Sequence, residues 1–277
     1  MTAHPRQVTA VRALKVRPDR RVDLPEQVAT EEPMQILVSG PGQAPEPLAV
    51  TMRTPGHDFE LAAGFVLTEG VAGRSGIAGV DYCETQAAPG PGRYNHVTVR
   101  LSAPWEPPAR ARWSAASSSC GVCGKATIDD VETGCGLLPA GRPFPAALVT
   151  SLPERLRKAQ KGFERTGGLH AAGLFAPDGE LLCAREDVGR HNAVDKVAGW
   201  TVLSGVAPAG SALAVSGRVS FEIVQKAAMA GVAVLAAVSA PSSLAVAAAE
   251  RLGVAVAAFV RGDGYNVYSH PERLDFA

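Results

Sequence analysis

The stretch that decides the fold of this chain is residues 212–260, ALAVSGRVSFEIVQKAAMAGVAVLAAVSAPSSLAVAAAERLGVAVAAFV. Apolar runs and helical patterns alternate along it, which predicts strands over residues 212–215, 232–238 and 254–260 and helices over residues 219–230 and 242–252. Because the apolar runs are continuous, the strands are expected to be buried on both faces. This order predicts an α/β fold in which helices cover a mainly parallel sheet.

Further elements are predicted just upstream of this stretch. Two short strands, residues 169–175 and 180–184, are joined by Pro177-Asp178-Gly179, a sequence that favours a tight turn. A helix is predicted over residues 190–203, directly after a dense polar run. These elements extend the α/β pattern toward the middle of the chain.

The N-terminal part is predicted to be α+β. Apolar runs at residues 34–38 and 48–52 flank a loop rich in glycine and proline, which indicates a hairpin. A helix of about three turns is expected to begin near Asp58 and to end at Gly70. One strand, residues 94–101, is predicted in the turn-rich sequence that follows.

The sequence divides into four predicted segments. The first residues are rich in arginine and proline, which is typical of a flexible end, and a serine-rich stretch precedes two cysteines. The segments are a flexible lead-in (residues 1–22), an N-terminal subdomain (23–113), a mobile loop with the two cysteines (114–136) and the α/β domain (137–277).

The composition limits the classes of protein that this chain can be. Of 277 residues, 46% are hydrophobic, and 27 basic side chains balance 27 acidic ones, so no net charge attracts nucleic acid or anionic lipid. Five cysteines do not fit a disulfide-stapled secreted domain, which favours a reducing compartment. Residues 1–21 lack the apolar segment of a signal peptide, and residues 239–243 interrupt the longest charge-free stretch. A cytoplasmic protein is expected.

The sharpest local motif is Cys120-Gly121-Val122-Cys123. Two thiols at this spacing can share a metal ion, close a small disulfide, or let one thiol resolve a modification of the other. A structural zinc ion needs four ligands, which Cys135 and His170 could complete only through the fold, and no permanently bound metal is predicted. Serine- and glycine-rich neighbours argue against a buried structural pair.

Three strand ends form a second candidate site. In an open parallel sheet, ligands bind beyond the carboxyl ends of the strands, where helix N-termini expose N–H groups. The ends are Ser216-Gly217-Arg218, Ser239-Ala240-Pro241-Ser242-Ser243 and Arg261-Gly262-Asp263-Gly264. They combine arginines with small residues, so one interpretation is a pocket for a pyrophosphate or nucleotide, and the other is ordinary loop chemistry.

The polar run from Arg185 to Asn192 is the third candidate. Asp195 follows His191 by four residues, so its carboxylate could orient the imidazole on a helix face. For most of these charges, helix capping and surface ion pairing is the simpler interpretation. His57 and His170 are predicted to be structural histidines, and Cys83, Cys135 and Cys183 to be small core or surface residues.

Several ordered motifs together resemble the formate dehydrogenase accessory sulfurtransferase family (FdhD). They are TPGHDFEL at 54–61, CGVCG at 120–124, GLHAA at 168–172, the run 185–196, the run 216–222 and FVRG at 259–262. The resemblance extends over nearly the whole chain from about Gln35 and implies a cytidine-deaminase-like fold for residues 137–277. Zinc-deaminase chemistry is not predicted, because His170-Ala171-Ala172 lacks the glutamate that should follow the histidine.

The resemblance implies a cytoplasmic sulfur carrier. Such a sulfurtransferase takes persulfide sulfur from a cysteine desulfurase and delivers it to the molybdenum cofactor required by formate dehydrogenase, with Cys120 carrying the persulfide and Cys123 assisting. The cofactor, Mo-bis(molybdopterin guanine dinucleotide), is expected to bind as substrate. The residues expected to hold it are Phe259, Val260, Arg261, Gly262, Asp263 and Gly264, with Ser216, Gly217, Arg218 and Ser239 from the other strand ends.

The partners that the resemblance implies are the cysteine desulfurase, the formate dehydrogenase catalytic subunit and a second copy of this chain in a homodimer. Neither nucleic acid nor a membrane is expected to be a partner. Two rival classes stay open at this point: a non-catalytic chaperone that binds the molybdenum cofactor, and a redox or zinc module built on the two thiols.

Overall fold

The computed structural model describes residues 7–82, 94–106 and 136–277. The N-terminal elements are β1 (Val8–Val16), β2 (Arg21–Ala29), β3 (Glu32–Ser39), β4 (Glu46–Arg53), α1 (Asp58–Thr68), β5 (Ile77–Tyr82) and β6 (His96–Leu101). The C-terminal elements are β7 (Phe144–Pro145), α2 (Ala146–Val149), α3 (Leu152–Ala159), α4 (Lys161–Thr166), β8 (His170–Phe175), β9 (Leu181–Asp187), α5 (Arg190–Leu203), β10 (Ala212–Val215), α6 (Phe221–Met229), β11 (Val234–Ala237), α7 (Ser243–Leu252), β12 (Ala255–Arg261), β13 (Gly264–Val267) and β14 (Leu274–Asp275).

The larger sheet is mixed, with the strand order β13-β12-β11-β10-β8-β9. Strands β10, β11 and β12 are parallel, as predicted, and α6 and α7 are the crossovers between them. The pairings of β8 with β9, β8 with β10 and β12 with β13 are antiparallel. The expectation of a mainly parallel sheet is wrong for these strands. The turns around Gly179 and Gly262 are too short for a helical crossover, and β10 joins the sheet beside β8 rather than β9.

The three parallel strands of the sheet are buried on both faces, as their continuous apolar runs predict. On β10, Leu213 and Val215 point into a core shared with α5, α6 and α7. The alternate residues Ala212 and Ala214 belong to a second core, which includes residues of α2 and α3. Both cores together hold the carboxyl ends of the parallel strands in fixed positions.

The smaller sheet has the order β4-β3-β6-β5, and its β3–β4 pair is the predicted hairpin. Helix α1 covers it by packing Leu61 and Val66 against Ile36 and Val99. The prediction of a helix near Asp58 is confirmed. Strand β5 was not predicted, because it is a partly exposed edge strand without a continuous apolar run.

Strands β1 and β2 correct the prediction of a flexible lead-in (residues 1–22) from residue 8 onward, whereas residues 1–6 lie outside the described residues. They pair along their full length as an antiparallel ribbon. Most of its residues are exposed on both faces, so the ribbon has no apolar periodicity by which the sequence could reveal it. It is fixed at its base, where Thr30 N–H donates to the Gln7 carbonyl (2.9 Å) and Arg165 Nε donates to Gln27 Oε1 (3.0 Å).

Helices α1 and α5 cross in direct backbone contact. A Cβ atom placed on Gly64 would lie 1.8 Å from the Asp195 carbonyl oxygen, and one on Gly199 would lie 1.8 Å from the Glu60 carbonyl oxygen. Each helix thus has a glycine where any side chain would force the two backbones apart. This crossing joins the N-terminal sheet to the C-terminal layers.

We expect Gly199→Ala to destabilise the protein. Alanine would improve the helix propensity of α5 by about 1 kcal/mol. The methyl group would nevertheless meet rigid backbone at 1.8 Å, and overpacking of this kind costs about 1–3 kcal/mol or more, so the net change in the free energy of unfolding should be a loss. The measurement is denaturant unfolding followed by circular dichroism.

The matched control for this substitution is Gly73→Ala. Gly73 has φ −70°, and no atom lies within 4 Å of the position of its Cβ, so alanine fits without strain. We expect its free energy of unfolding to stay within about 0.5 kcal/mol of the wild-type value. Equal stability of the Gly199→Ala and wild-type proteins would contradict the close crossing.

Candidate functional site

A cavity of about 810 Å³ lies at the carboxyl ends of the three parallel strands. One wall consists of residues at or just beyond these ends, namely Val215, Ser216, Val238, Val260, Arg261 and Gly262. The facing wall comes from α3, α4 and the segment that leads from α4 into β8. A volume of this size accommodates a nucleotide-sized ligand, since small-molecule sites are typically about 300–1,000 Å³.

The end of β12 has an unusual backbone that directs side chains toward this cavity. Phe259 has φ +55°, a left-handed conformation that is rare for an aromatic residue, and Gly262 has φ +59°. The pairing of β12 with β13 shifts register between Ala258 and Arg261. The bulge leaves Arg261 at the cavity wall while Phe259 packs against the core, and irregularities of this kind are frequent next to functional sites.

The cavity provides hydrogen-bond donors for an anion. Arg157 and Arg261 are exposed residues of its lining. Ser216 Oγ accepts a hydrogen bond from Ala171 N–H (2.8 Å), which leaves the hydroxyl hydrogen free to donate to a ligand. Glu154 is an acidic residue of the lining, and its carboxylate is paired with Lys158 (2.7 Å). The balance of charge favours an anionic ligand.

His170 lies at the inner end of this cavity. Burial lowers the pKa of His170, nearby Arg190 and Arg218 lower it further, and Asp187 opposes this shift. The Arg190 Nε atom is buried and has no hydrogen-bond partner in the part of the chain that the structure describes. An unsatisfied buried donor beside a basic cavity is a feature that a bound anion would explain.

The predicted strand-end residues fall into two groups. Ser216, Val260, Arg261 and Gly262 line the cavity. The others do not line it: Gly217 lies beside His170, Ser239 accepts a hydrogen bond from Phe259 N–H (3.3 Å), Phe259 packs on the core, and Arg218, Asp263 and Gly264 are exposed. The structure thus brings two of the three strand ends to one wall through the predicted residues, with Val238 added from β11.

Sequence reasoning missed the facing wall of the cavity, which includes Arg157, Gln160 and Phe163. Arg157 and Phe163 lie on short helices and Gln160 lies between these helices, and their chemistry has no local motif. The Arg157 guanidinium stacks 4.7 Å from the centre of the Phe163 ring, so the wall offers a cation and an aromatic face together. His170 was noted as part of a motif and as a residue that could complete a zinc site, and it was otherwise predicted to be structural.

The two candidate nucleophiles, Cys120 and Cys123, lie outside the described residues, as do Cys83 and Cys135. Cys183 is buried on β9, which is the core alternative of the two that the sequence left open. Burial raises the pKa of its thiol to about 12, so its reactive thiolate form is scarce at neutral pH. Sulfur chemistry in this chain therefore depends on the other cysteines.

Part of the polar run near α5 is buried rather than on the surface, namely Asp187, His191 and Asn192. Lys196 Nζ lies 2.7 Å from Asp187 Oδ2, with both side chains fully buried, and it donates to the Thr54 carbonyl (2.9 Å). Asp187 also accepts from Thr54 N–H (3.1 Å), so this pair connects the two parts of the chain. The prediction of caps and surface pairs is wrong for Asp187 and Lys196, because α1 and its flanking strand cover this face of α5. It is confirmed for Glu186, whose carboxylate caps α4 by accepting from Gly162 N–H (2.8 Å) and Phe163 N–H (2.7 Å).

The predicted contact between His191 and Asp195 is also absent. Asp195 Oδ1 instead lies 3.0 Å from Lys226 Nζ and accepts from Thr68 Oγ1 (2.6 Å). Burial would lower the pKa of Lys226, but Asp195 and Glu69 raise it, so the lysine stays charged. Asp195 is turned toward α1 and α6, where its carboxylate meets the Thr68 hydroxyl and the charged Lys226.

No cluster of His, Cys, Asp and Glu suited to a metal ion occurs among residues 7–82, 94–106 and 136–277. Three ligands of the zinc alternative, Cys120, Cys123 and Cys135, lie beyond that part of the chain. In the same described segments, no helix has both the length and the apolar composition needed to cross a membrane.

Comparison with known proteins identifies the family. The model of the FdhD/NarQ family matches residues 29–275, which is most of the chain. The chain belongs to the FdhD/NarQ family. The resemblance to FdhD that the motifs indicated is thereby confirmed.

Relatives of this FdhD/NarQ member match it over nearly its whole length. A protein of Mycobacterium tuberculosis named sulfur carrier protein FdhD is 50% identical over 265 residues, covering 92% of this chain and 94% of that protein. A protein of the same name from Streptomyces avermitilis is 48% identical over 257 residues, covering 90% of this chain and 89% of that protein. The crystal structure of a formate dehydrogenase accessory protein from Desulfotalea psychrophila has a TM-score of 0.76 and 25% identity, covering 98% of this chain and all of that one.

We expect this FdhD/NarQ protein to become less stable as the pH is lowered, because His191 must then take up a proton. Burial, with Lys226 and Arg190, lowers its pKa from 6.5 to about 4, against the opposing effect of Glu222 and Glu69. Between these values the unfolded state binds more protons, so the free energy of unfolding decreases by about 3 kcal/mol as the pH falls from 6.5 to 4. Denaturant unfolding at several pH values measures this slope.

The variant that tests this prediction is His191→Gln, which should flatten the pH dependence of unfolding in that window. Val194→Ala removes apolar contacts on the same helix without removing a titrating group. It should lower stability by a constant amount and leave the pH slope unchanged. A wild-type slope in His191→Gln would show that other groups cause the dependence.

Proposed function

We propose that this chain is a sulfur carrier that takes persulfide sulfur from a cysteine desulfurase and transfers it to a molybdenum cofactor required by formate dehydrogenase. The observation that carries the proposal is the 50% identity, over 92% of the chain, to a protein named sulfur carrier protein FdhD. The accessory-protein title of the similar crystal structure supports the link to formate dehydrogenase. The position of the anion-suited cavity at the strand ends supports the binding of a phosphate-bearing cofactor.

The sulfur chemistry is assigned to Cys120 and Cys123. In the loading step, the Cys120 thiolate attacks the terminal sulfur of the desulfurase persulfide. A new S–S bond forms on Cys120, the donor S–S bond breaks, and the donor cysteine leaves as a thiolate. In the unloading step, the Cys123 thiolate attacks the inner sulfur of the Cys120 persulfide. A Cys120–Cys123 disulfide forms, and the outer sulfur leaves as hydrosulfide for the cofactor.

The substrate proposed for the cavity is Mo-bis(molybdopterin guanine dinucleotide). Its guanosine diphosphate arms match the features present: Arg157, Arg261 and the Ser216 hydroxyl for phosphate oxygens, and the Phe163 side chain for an aromatic base. The bound cofactor supplies the molybdenum that receives the sulfur. The chain's own residues hold the diphosphate and set its position.

The cofactor has two nucleotide arms, and a cavity of about 810 Å³ has room for one of them. We therefore propose a homodimer, in which a two-fold axis would give each arm an equivalent cavity. The layering of α5, α6 and α7 on one face of the sheet also supports the proposal of a cytidine-deaminase-like fold for the C-terminal domain.

The first experiment measures the intact mass after incubation with a cysteine desulfurase and cysteine. We expect the wild-type protein to gain the mass of one sulfur atom and Cys120→Ala to gain none. Cys123→Ala should still gain it, because this substitution leaves the loading thiol in place. Reduction with dithiothreitol should remove the added mass in both cases.

The outcomes separate the proposed carrier from its rivals. A Cys120→Ala protein that accepts sulfur, or that still supports active formate dehydrogenase, contradicts the assignment of Cys120. If no sample gains sulfur while the cofactor still binds, the chain is a non-catalytic chaperone. Stoichiometric zinc in the purified protein would instead favour the metal module.

We expect Arg261→Ala to weaken the binding of GDP by about tenfold, because a charge-assisted hydrogen bond to a phosphate is lost from the rim of the cavity. Isothermal titration calorimetry measures the dissociation constant. Arg21→Ala is the matched control, since Arg21 is an exposed arginine on the β1–β2 ribbon and does not line the cavity. Equal affinities of Arg261→Ala and wild type would remove Arg261 from the site.

A further inference from the structure

The position of His170 in the cavity suggests a role in ligand binding, in addition to sulfur transfer by the chain. Its imidazole lines the cavity at the first residue of β8, opposite Asp187 in the register with β9. Neither ring nitrogen has a hydrogen-bond partner in the segments that the structure describes, whereas the buried His191 contacts the Ser220 hydroxyl (3.4 Å). His170 is thus a half-buried titratable group whose polar atoms are free to meet a ligand.

The charges that surround His170 come from several elements. Arg190 lies at the start of α5, Arg218 follows β10, and Asp187 ends β9. The cavity adds Arg157 and Glu154 from α3 and Arg261 from β12. Asp187 is the acidic neighbour, but its carboxylate is already paired with Lys196 at 2.7 Å and accepts hydrogen bonds from the backbone N–H groups of Thr54 and Gly189.

This environment favours the neutral form of the imidazole while no anion is present. Burial and the two arginines lower the pKa of His170. Asp187, whose carboxylate is already paired, opposes this shift only in part. A diphosphate next to the ring reverses the balance, because a negative charge within roughly 6 Å favours the charged form of a histidine. The protonated ring then has two donors, one of which can serve the ligand.

We propose that His170 takes up a proton when a diphosphate ester enters the cavity and then donates a hydrogen bond to it. His170 is in this sense a residue that recognises the negative charge of the ligand, and the inference rests on the proposed cofactor site. The proton comes from solvent, and no covalent bond changes. Because bound protein holds more protons than free protein, affinity rises as the pH falls, by at most tenfold per pH unit for one proton.

The probe for this proposal is GDP-mannose. Its pyrophosphate is a diester without the phosphate group of pKa about 6 that would itself titrate in the relevant range. Calorimetric titrations near pH 6.5, in two non-phosphate buffers of different ionisation enthalpy, give the number of protons taken up on binding. Guanosine serves as the uncharged comparison ligand.

We expect the wild-type protein to take up a fraction of one proton with GDP-mannose and none with guanosine. His170→Gln should bind GDP-mannose without proton uptake, with an affinity that no longer changes between about pH 6 and pH 8. The control is His270→Gln. His270 does not line the cavity. Burial lowers the pKa of His270, but the hydrogen bonds that its ring donates to the Glu250 carbonyl and the Glu272 carboxylate raise it overall.

The results distinguish this inference from the proposed function. Proton uptake that persists in His170→Gln, or that is equal for guanosine, overturns the role of His170 while leaving the cofactor site intact. Binding of GDP-mannose to the wild type without any proton uptake does the same. Absence of binding to the wild type at every pH overturns the cofactor site itself, and the inference with it.

Discussion

The structure depends on the contact between α1 and α5, where the Gly64 and Gly199 backbones approach without an intervening side chain. A crossing this close brings polar groups of both helices out of water together. The Asp187–Lys196 and Asp195–Lys226 pairs compensate for that burial with hydrogen-bonded opposite charges. The close crossing and the buried ion pairs both involve α5, and both join the N-terminal part of the chain to the C-terminal part.

The Asp187–Lys196 pair also contributes to the geometry of the cavity. Helix α5 begins at Arg190, immediately after Asp187 has ended β9, so the pair that anchors the helix also places Arg190 beside His170. The two cores, one on each face of the sheet, fix the positions of the carboxyl ends of the parallel strands. The basic end of the cavity is thus a consequence of how the buried charges are arranged.

The sequence predicted those elements whose signals are local. Helix α5 spans Arg190–Leu203 as expected, and the hairpin at Gly179 has the predicted turn, because apolar periodicity and turn residues act within a few positions. The burial of Lys196 was not predictable in this way, since it depends on the distant segment around Thr54. The cavity wall formed by Arg157 and Phe163 was missed for the same reason. These residues become part of a cavity only when α3 and α4 face the strand ends.

The cavity has one further property, which concerns how the protein can change over evolution. Every described lining residue lies between Thr150 and Gly262, and none belongs to the N-terminal sheet or to the β1–β2 ribbon. Ligand recognition and the N-terminal surface are therefore encoded in separate stretches of sequence. Substitutions on the exposed ribbon, away from the Gln27–Arg165 contact, can therefore accumulate over evolution without replacing any residue that lines the cavity.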